Sequence, residues 1–333
     1  MAGRALAFSD PEIISMAKEQ YVPVAADDWY QRRRQDAEGA FFKQVSDQGP
    51  RGHSDTDTRQ GIYLLTAGGK LLAYKNAGQN PGVMREALRD GLAKWDRLPE
   101  AERAPGAVTV PDAGNLDGGY TRKPPAGGII VNVNARLLDK SELNGVADAA
   151  CKIGDGDEAS RDHLWLKESE WRALVPTTAK AGDSVALPPA VVRRILRFHL
   201  IDNTRGEPPM WRAQDVRQSD LHAVVQEADA RHVLVKLEGK ALLATDADMA
   251  KAERGFDAAL LGYVGYDRTK RAIDRFDVVA VGDHWGAGTY TGRARPGRTP
   301  LGVAFELASG KSVGDLVPPQ AAREINAYLG HDR

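Results

Sequence analysis

Trp29-Tyr30-Gln31-Arg32-Arg33 follows the short apolar run Tyr21-Val22-Pro23-Val24-Ala25-Ala26 and precedes a helix-patterned segment, 36–45. That order predicts a strand over 21–26, a junction at Trp29, and a helix with Phe41, Phe42 and Val45 on one side. The junction carries an aromatic pair and three consecutive arginines, but no cysteine.

Upstream, Ser9-Asp10-Pro11-Glu12 reads as a capping box opening a first helix, with Pro tolerated in the first turn and Ile13, Met16 and Ala17 on its apolar face. Downstream, 48–59 is polar and Gly/Asp/Ser-rich, the composition of a loop. Strands are expected at 61–66 and 70–74, joined by the turn Ala67-Gly68-Gly69. Asn80 can cap a helix beginning at Pro81, in which Met84, Leu88, Leu92 and Trp95 form one apolar stripe. Helix, strand, helix, loop, hairpin and helix thus follow one another over residues 1–97.

Trp29 after a strand, the hairpin Gly61-Ile62-Tyr63-Leu64-Leu65-Thr66-Ala67-Gly68-Gly69-Lys70-Leu71-Leu72 and the closing helix resemble the thioredoxin-like superfamily. The resemblance implies an α/β domain over 1–97 with a Trp-Cys-x-x-Cys junction and a cis-proline before the hairpin. Here Tyr30 and Arg33 stand at the cysteine positions, and Gln60-Gly61 stands where the proline belongs. A member of that family with these departures has no dithiol chemistry and keeps a docking shape.

Residues 98–127, rich in Pro, Gly and Ala, read as a linker. A strand at 128–138 and helices at 166–175 and 188–200 make 128–215 a mixed, mainly helical segment. From 216 to 333 the pattern becomes strands, at 221–228, 232–237, 240–245, 256–266, 275–282 and 301–307, before a helix at 319–329. That run predicts an antiparallel open barrel or curled sheet.

Composition narrows the function. Lys plus Arg (45) nearly balances Asp plus Glu (46), so no net charge favours nucleic acid or an anionic membrane. No apolar run approaches the roughly 20 residues of a membrane span. The N-terminus lacks the apolar core of a signal peptide, as expected of a cytoplasmic protein or of an exported one already trimmed of its leader. The single cysteine, Cys151, excludes an intramolecular disulfide and a multi-cysteine metal site.

Three clusters carry candidate chemistry. Trp29, Tyr30 and Arg33 at a helix start can receive an anion or a peptide, or the arginines pair with Asp27, Asp28, Asp36 and Glu38. Near the end of the 188–200 helix, His199, Asp202, Arg205, Glu207 and Trp211 can form an acid–base group, or a helix cap in which Arg205 pairs with Glu207. The glycine-rich loop 282–290 offers Asp283, His284, Trp285 and Tyr290 at the mouth of a pocket, or as a wide hairpin covering the sheet end. Gly292–Thr299 has P-loop glycine spacing but precedes a strand, which argues against a nucleotide. The remaining histidines lack metal-ligand spacing, and no cofactor is implied.

Two functions follow. The first is a redox-inactive module binding a small molecule or a protein or peptide partner through Trp29, Tyr30, Arg33, Arg205, Trp211, Trp285 and Tyr290. The second is a hydrolytic or metal-assisted enzyme using His199, Asp202, Glu207, Asp283 and His284, which requires 199–211 and 282–290 to converge.

Overall fold

Backbone contacts divide the chain into one unit spanning Gly3–Arg122 and another spanning Lys123–Arg333. The computed structural model describes residues 10–330 apart from 53–56, 77–80, 110–111, 113, 139–158, 177, 179, 205, 289 and 292–294. Cys151 and Arg205 lie outside the described residues, as does the Tyr290 side chain.

In the first unit, helix α1 (Pro11–Gln20) is capped by Asp10, whose Oδ1 accepts from the Glu12 and Ile13 amides at 3.1 Å. Ile13 and Met16 bury against Leu64, Ala73, Met84 and Leu88. Those partners come from hairpin β1 (Ile62–Leu65) and β2 (Leu71–Lys75), and from α4 (Pro81–Asp96). The Met84–Leu88 spacing puts both side chains on the helix face that meets the hairpin. Between them lie the four-residue α2 (Asp28–Gln31) and α3 (Ala37–Ser46).

The strand expected at 21–26 is not formed. Val22 and Val24 are 90% and 83% exposed, and Pro23 has no N–H to give a ladder. Trp29 therefore lies in α2 rather than at a strand-to-helix junction. Of the elements expected over 1–97, the hairpin and the helix after it form and the strand at 21–26 does not. Residues 98–122, read as linker, belong to this unit. They include α5 (Glu100–Arg103), and the Asp117 amide donates to Asp36 Oδ2 at 2.8 Å.

The second unit is built on one antiparallel sheet of eight strands in the order β4-β3-β12-β10-β9-β8-β7-β5. Its strands are β3 (Ile129–Leu137), β4 (Ala159–Leu166), β5 (Ser184–Val185), β7 (Val216–Ala228), β8 (His232–Ala244), β9 (Gly255–Asp267), β10 (Ala272–Trp285) and β12 (Thr299–Leu307). The segments 128–215 and 216–333 thus share a sheet, which remains open and does not close into a barrel. Alternate residues such as Val133, Val235, Leu260, Val278 and Val303 point to one face. Helix α6 (Glu168–Leu174) and α7 (Pro189–Arg194), continued by a π-turn over Ile195–His199, fill that face with Trp171, Leu174, Val191 and Leu196. A separate two-stranded pair joins β6 (Gly206–Glu207) to β11 (Tyr290–Thr291).

Two expectations needed correction. Residues 232–237 and 240–245 are one strand, because Gly239 does not turn the chain. It lets β7 approach so closely that a Cβ there would lie 1.9 Å from Asp220 O. Leu166 ends β4 instead of opening a helix, and β4 itself was not expected. Asp162 and His163 interrupt its apolar pattern, so the strand shows in sequence only as Leu164-Trp165-Leu166.

Strand β4 is a sheet edge, and its outward backbone groups are covered by side chains. The Trp165 amide donates to Tyr328 Oη at 3.1 Å, and the Trp165 carbonyl accepts from Arg194 Nη1 at 3.1 Å. Tyr328 belongs to the terminal helix α8 (Ile325–Leu329), which follows a 3-10 turn over Gln320–Glu324. Ala321, Ala322 and Tyr328 pack with Ile130, Trp165 and Phe198 in a small cluster of their own.

Candidate functional site

In the first unit the three arginines part company. Arg32 lies 3.6 Å from Asp28, and Arg34 makes a buried fork with Asp36 (2.6–3.0 Å) and meets Glu38 at 2.7 Å. Arg34 holds the Asp36 carboxyl well below the usual carboxylate range. Arg33 instead stacks on Trp29, its guanidinium carbon 4.5 Å from the ring centroid, and donates to Trp29 O at 3.1 Å. The expected helix-start anion site is corrected. Arg32 to Arg34 follow the C-terminal end of α2, where exposed carbonyls rather than amides point, and Asp27 Oδ1 already accepts from the Trp29 amide.

What forms instead is an aromatic group. Trp29 meets Tyr30 edge-on at 5.1 Å and Tyr120 at 5.7 Å, and Arg122 lies 5.6 Å over the Tyr30 ring. Tyr30 is buried, while Trp29, Arg33, Tyr120 and Arg122 are half-buried. Tyr120 and Arg122 were missed because they sit in the presumed linker. Only their aromatic and basic chemistry could have marked them.

In the second unit the segments 199–211 and 282–291 converge. β6 pairs with β11, and Asp202, Pro208 and Trp211 line one cleft with His284, Gly286, Ala287 and Thr291. The side chains nearly fill it, leaving a slot too thin for a water-sized sphere. Asp202 accepts from the Thr204 amide (3.1 Å) and hydroxyl (2.6 Å), and its other oxygen lies 3.9 Å from His284 Nδ1. Arg254, also missed, covers the Trp211 ring at 4.0 Å. Burial lowers its pKa, against the pull of Asp215 and Asp202.

His199 belongs to another group. Its Nε2 is 2.9 Å from Tyr328 Oη, and its Nδ1 faces Asp162 Oδ2 at 3.4 Å. Tyr328 Oη already accepts from the Trp165 amide, so it donates to Nε2, leaving the His199 proton on Nδ1 toward Asp162. Burial pushes the Tyr328 phenol far up, so it remains protonated. The expected His199–Asp202 face does not exist, because the π-turn ends at His199 and Asp202 lies beyond the helix.

The other candidates are placed as follows. Glu207 meets Arg323 at 3.3 Å; Arg205, its expected partner, lies outside the described residues. Asp283 is exposed on the outer face, since strand alternation turns it away from buried His284. Trp211 is 1% exposed and donates to Leu200 O at 2.7 Å, a core role. Trp285 donates to Ala252 O at 2.9 Å and carries Arg298 4.1 Å over its ring, covering the sheet end. Among the described residues no group of three or more His, Cys, Asp or Glu side chains can hold a metal, and no helix is long and apolar enough to cross a membrane.

No family model matches the chain, and no curated protein or solved structure matches it.

Proposed function

We propose that the chain is a redox-inactive binding protein that docks an acidic protein or peptide segment on Trp29, Tyr120, Arg33 and Arg122. The observation that carries this reading is the half-buried Trp29 ring, fixed by an edge contact to Tyr30 and a tilted one to Tyr120 and carrying Arg33 on its face. Tryptophan, tyrosine and arginine held rigidly at a surface are the residue types that dominate binding energy at protein contacts. Arg32 and Arg34 lie against Asp28 and Asp36, and Arg33 and Arg122 lie over the Trp29 and Tyr30 rings. A thioredoxin-like relationship is favoured by the hairpin and disfavoured by the unformed strand at 21–26; the binding reading does not need it.

The test is a displayed peptide library selected on the full chain and, in parallel, on Trp29→Ala. Acidic sequences enriched on the parent and lost on the variant support the proposal. The same set enriched on both refutes it. A second reading, a hydrolytic enzyme, rests on the meeting of Asp202, Arg254 and His284 in one cleft. A hydrolase activity abolished by His284→Ala in a folded protein would establish it.

A further inference from the structure

The carboxy-terminal residues 319–330 are attached to the second unit in a manner unlike the rest of it. They contribute no strand to the eight-stranded sheet and pack in the separate cluster with Trp165 and Phe198. Side chains hold their backbone. Arg194 Nε donates to Tyr328 O at 2.8 Å, Arg193 to Gly330 O at 2.5 Å, and Lys167 to Leu329 O. At the other end Asp162 Oδ1 accepts from the Gln320 amide at 3.0 Å, and Tyr328 enters between Phe198 and His199. One dehydrated nitrogen in that cluster, Trp165 Nε1, has no hydrogen-bond partner among the described residues, a group left unsatisfied with the strap seated.

The segment hangs from a connection, 308–318, that contains Gly310 in the left-handed region (φ 67°) and ends at Pro318 before Pro319. Leu316 and Val317, adjacent on this connection, are 51% and 49% exposed. The connection is folded through a 3-10 turn (Val313–Leu316) and through Asp315, which accepts from Ser309 and Gly310; opened and extended, its roughly eleven residues reach about 35 Å, enough to cross to a neighbouring molecule.

We propose that residues 319–330 are an exchangeable strap, and that two copies of this chain dimerise by trading it, each groove receiving the other copy's Tyr328. The one ligand whose fit to this groove is already demonstrated is the strap itself, so a second copy supplies the same contacts without a new surface. Exchange brings the two connections together at the two-fold axis. There Leu316 and Val317 of each copy bury against their counterparts, a contact that the single chain lacks.

The test uses the full chain, held at near-millimolar concentration and then separated by size exclusion with light scattering. A dimer is expected that grows with concentration, dissociates slowly on dilution, and is inhibited by a synthetic peptide of residues 316–330. Removing 319–330 should abolish it. Because that truncation exposes a sheet edge and can fail to fold, the surface variant Leu316→Ser/Val317→Ser is measured in parallel. Its dimerisation constant should weaken by about tenfold with the monomer fold unchanged. A strictly monomeric parent, a dimer untouched by the peptide, or a surface variant that dimerises as well as the parent would each overturn the proposal.

Discussion

Replacing Arg194 by methionine is the sharpest test of how the second unit is held. Arg194 is fully buried and forks onto Glu170 (2.6 and 2.8 Å) while donating to Trp165 O and Tyr328 O. Burial pushes the Glu170 carboxyl up, but the Arg194 fork and the Lys167 amide outweigh it and leave the group below its ordinary value of 4.5. Methionine fills much of the volume and removes every one of these bonds, stranding a carboxylate in the core. Breaking a buried pair from one side costs about 3–5 kcal/mol, a large share of a domain's stability. Replacing both partners, Arg194→Met with Glu170→Leu, should recover most of that loss. The pH dependence has a sign that separates this account from simple loss of packing. In the parent, the depressed carboxyl contributes stability that is present above pH 4.5 and is lost as pH falls through the lower folded value. In Arg194→Met, burial is opposed only by Lys167, so the Glu170 carboxyl rises above its value in the parent and less stability is gained as pH rises. The gap between parent and variant must therefore widen from about pH 4 to about pH 7. Urea titrations in a Trp29→Phe/Trp95→Phe background leave only the tryptophans of the second unit to report. A loss under about 1 kcal/mol, or a gap indifferent to pH, would refute the reasoning.

Other outcomes follow from single positions. Gly239→Ala drives a Cβ to 1.9 Å from Asp220 O at a φ of 153° and should cost about 2–4 kcal/mol by thermal melting. Gly297→Ala, at a φ of 68° with nothing within 4 Å, should cost only about 1 kcal/mol. Arg33→Ala should change stability by less than about 1 kcal/mol yet shift Trp29 fluorescence, measured with the other five tryptophans replaced by phenylalanine. Asp36 contributes stability that is present above its ordinary value of 3.8 and lost in acid, because Arg34 depresses its carboxyl. Asp36→Asn should flatten the acid limb of the first unit's melting curve, and an unchanged limb would remove Arg34 as the cause.

The elements that the sequence revealed are those whose apolar periodicity runs uninterrupted. The hairpin around Gly69, the Met84–Leu88 stripe and the strands with Leu260, Val278 and Val303 all formed, because alternate burial leaves a pattern in the chain itself. Strand β4 is hard to read in the sequence because Asp162 and His163 break its apolar pattern, and Asp162 points to partners far along the chain, His199 and the Gln320 amide. Residues 21–26 were read too generously. Apolar residues without a neighbouring strand cannot make a ladder, and composition does not say whether that neighbour exists. Segments 199–211 and 282–290 meet through Asp202, Pro208, Trp211 and His284, but His199 lies with Asp162 and Tyr328, and Asp283 faces outward by the same alternation that turns His284 inward.

The dense polar clusters of the second unit have a topological origin that bears on function. A sheet that closes into a barrel has no edges, whereas this one ends at β4 and must satisfy its outward amides and carbonyls by other means. Tyr328 and Arg194 do so at Trp165, and each then needs its own partner: His199 and Asp162 for the phenol, Glu170 for the guanidinium. Histidine, carboxylate and aromatic residues accumulate there for the reason they accumulate in active sites, namely that buried charge demands company. The difference lies in direction. Catalytic groups aim at space a substrate can enter, whereas Tyr328 and Arg194 aim at the backbone of their own chain. An acid–base constellation read from sequence therefore carries weight only once the edge it closes, or the cavity it faces, is known.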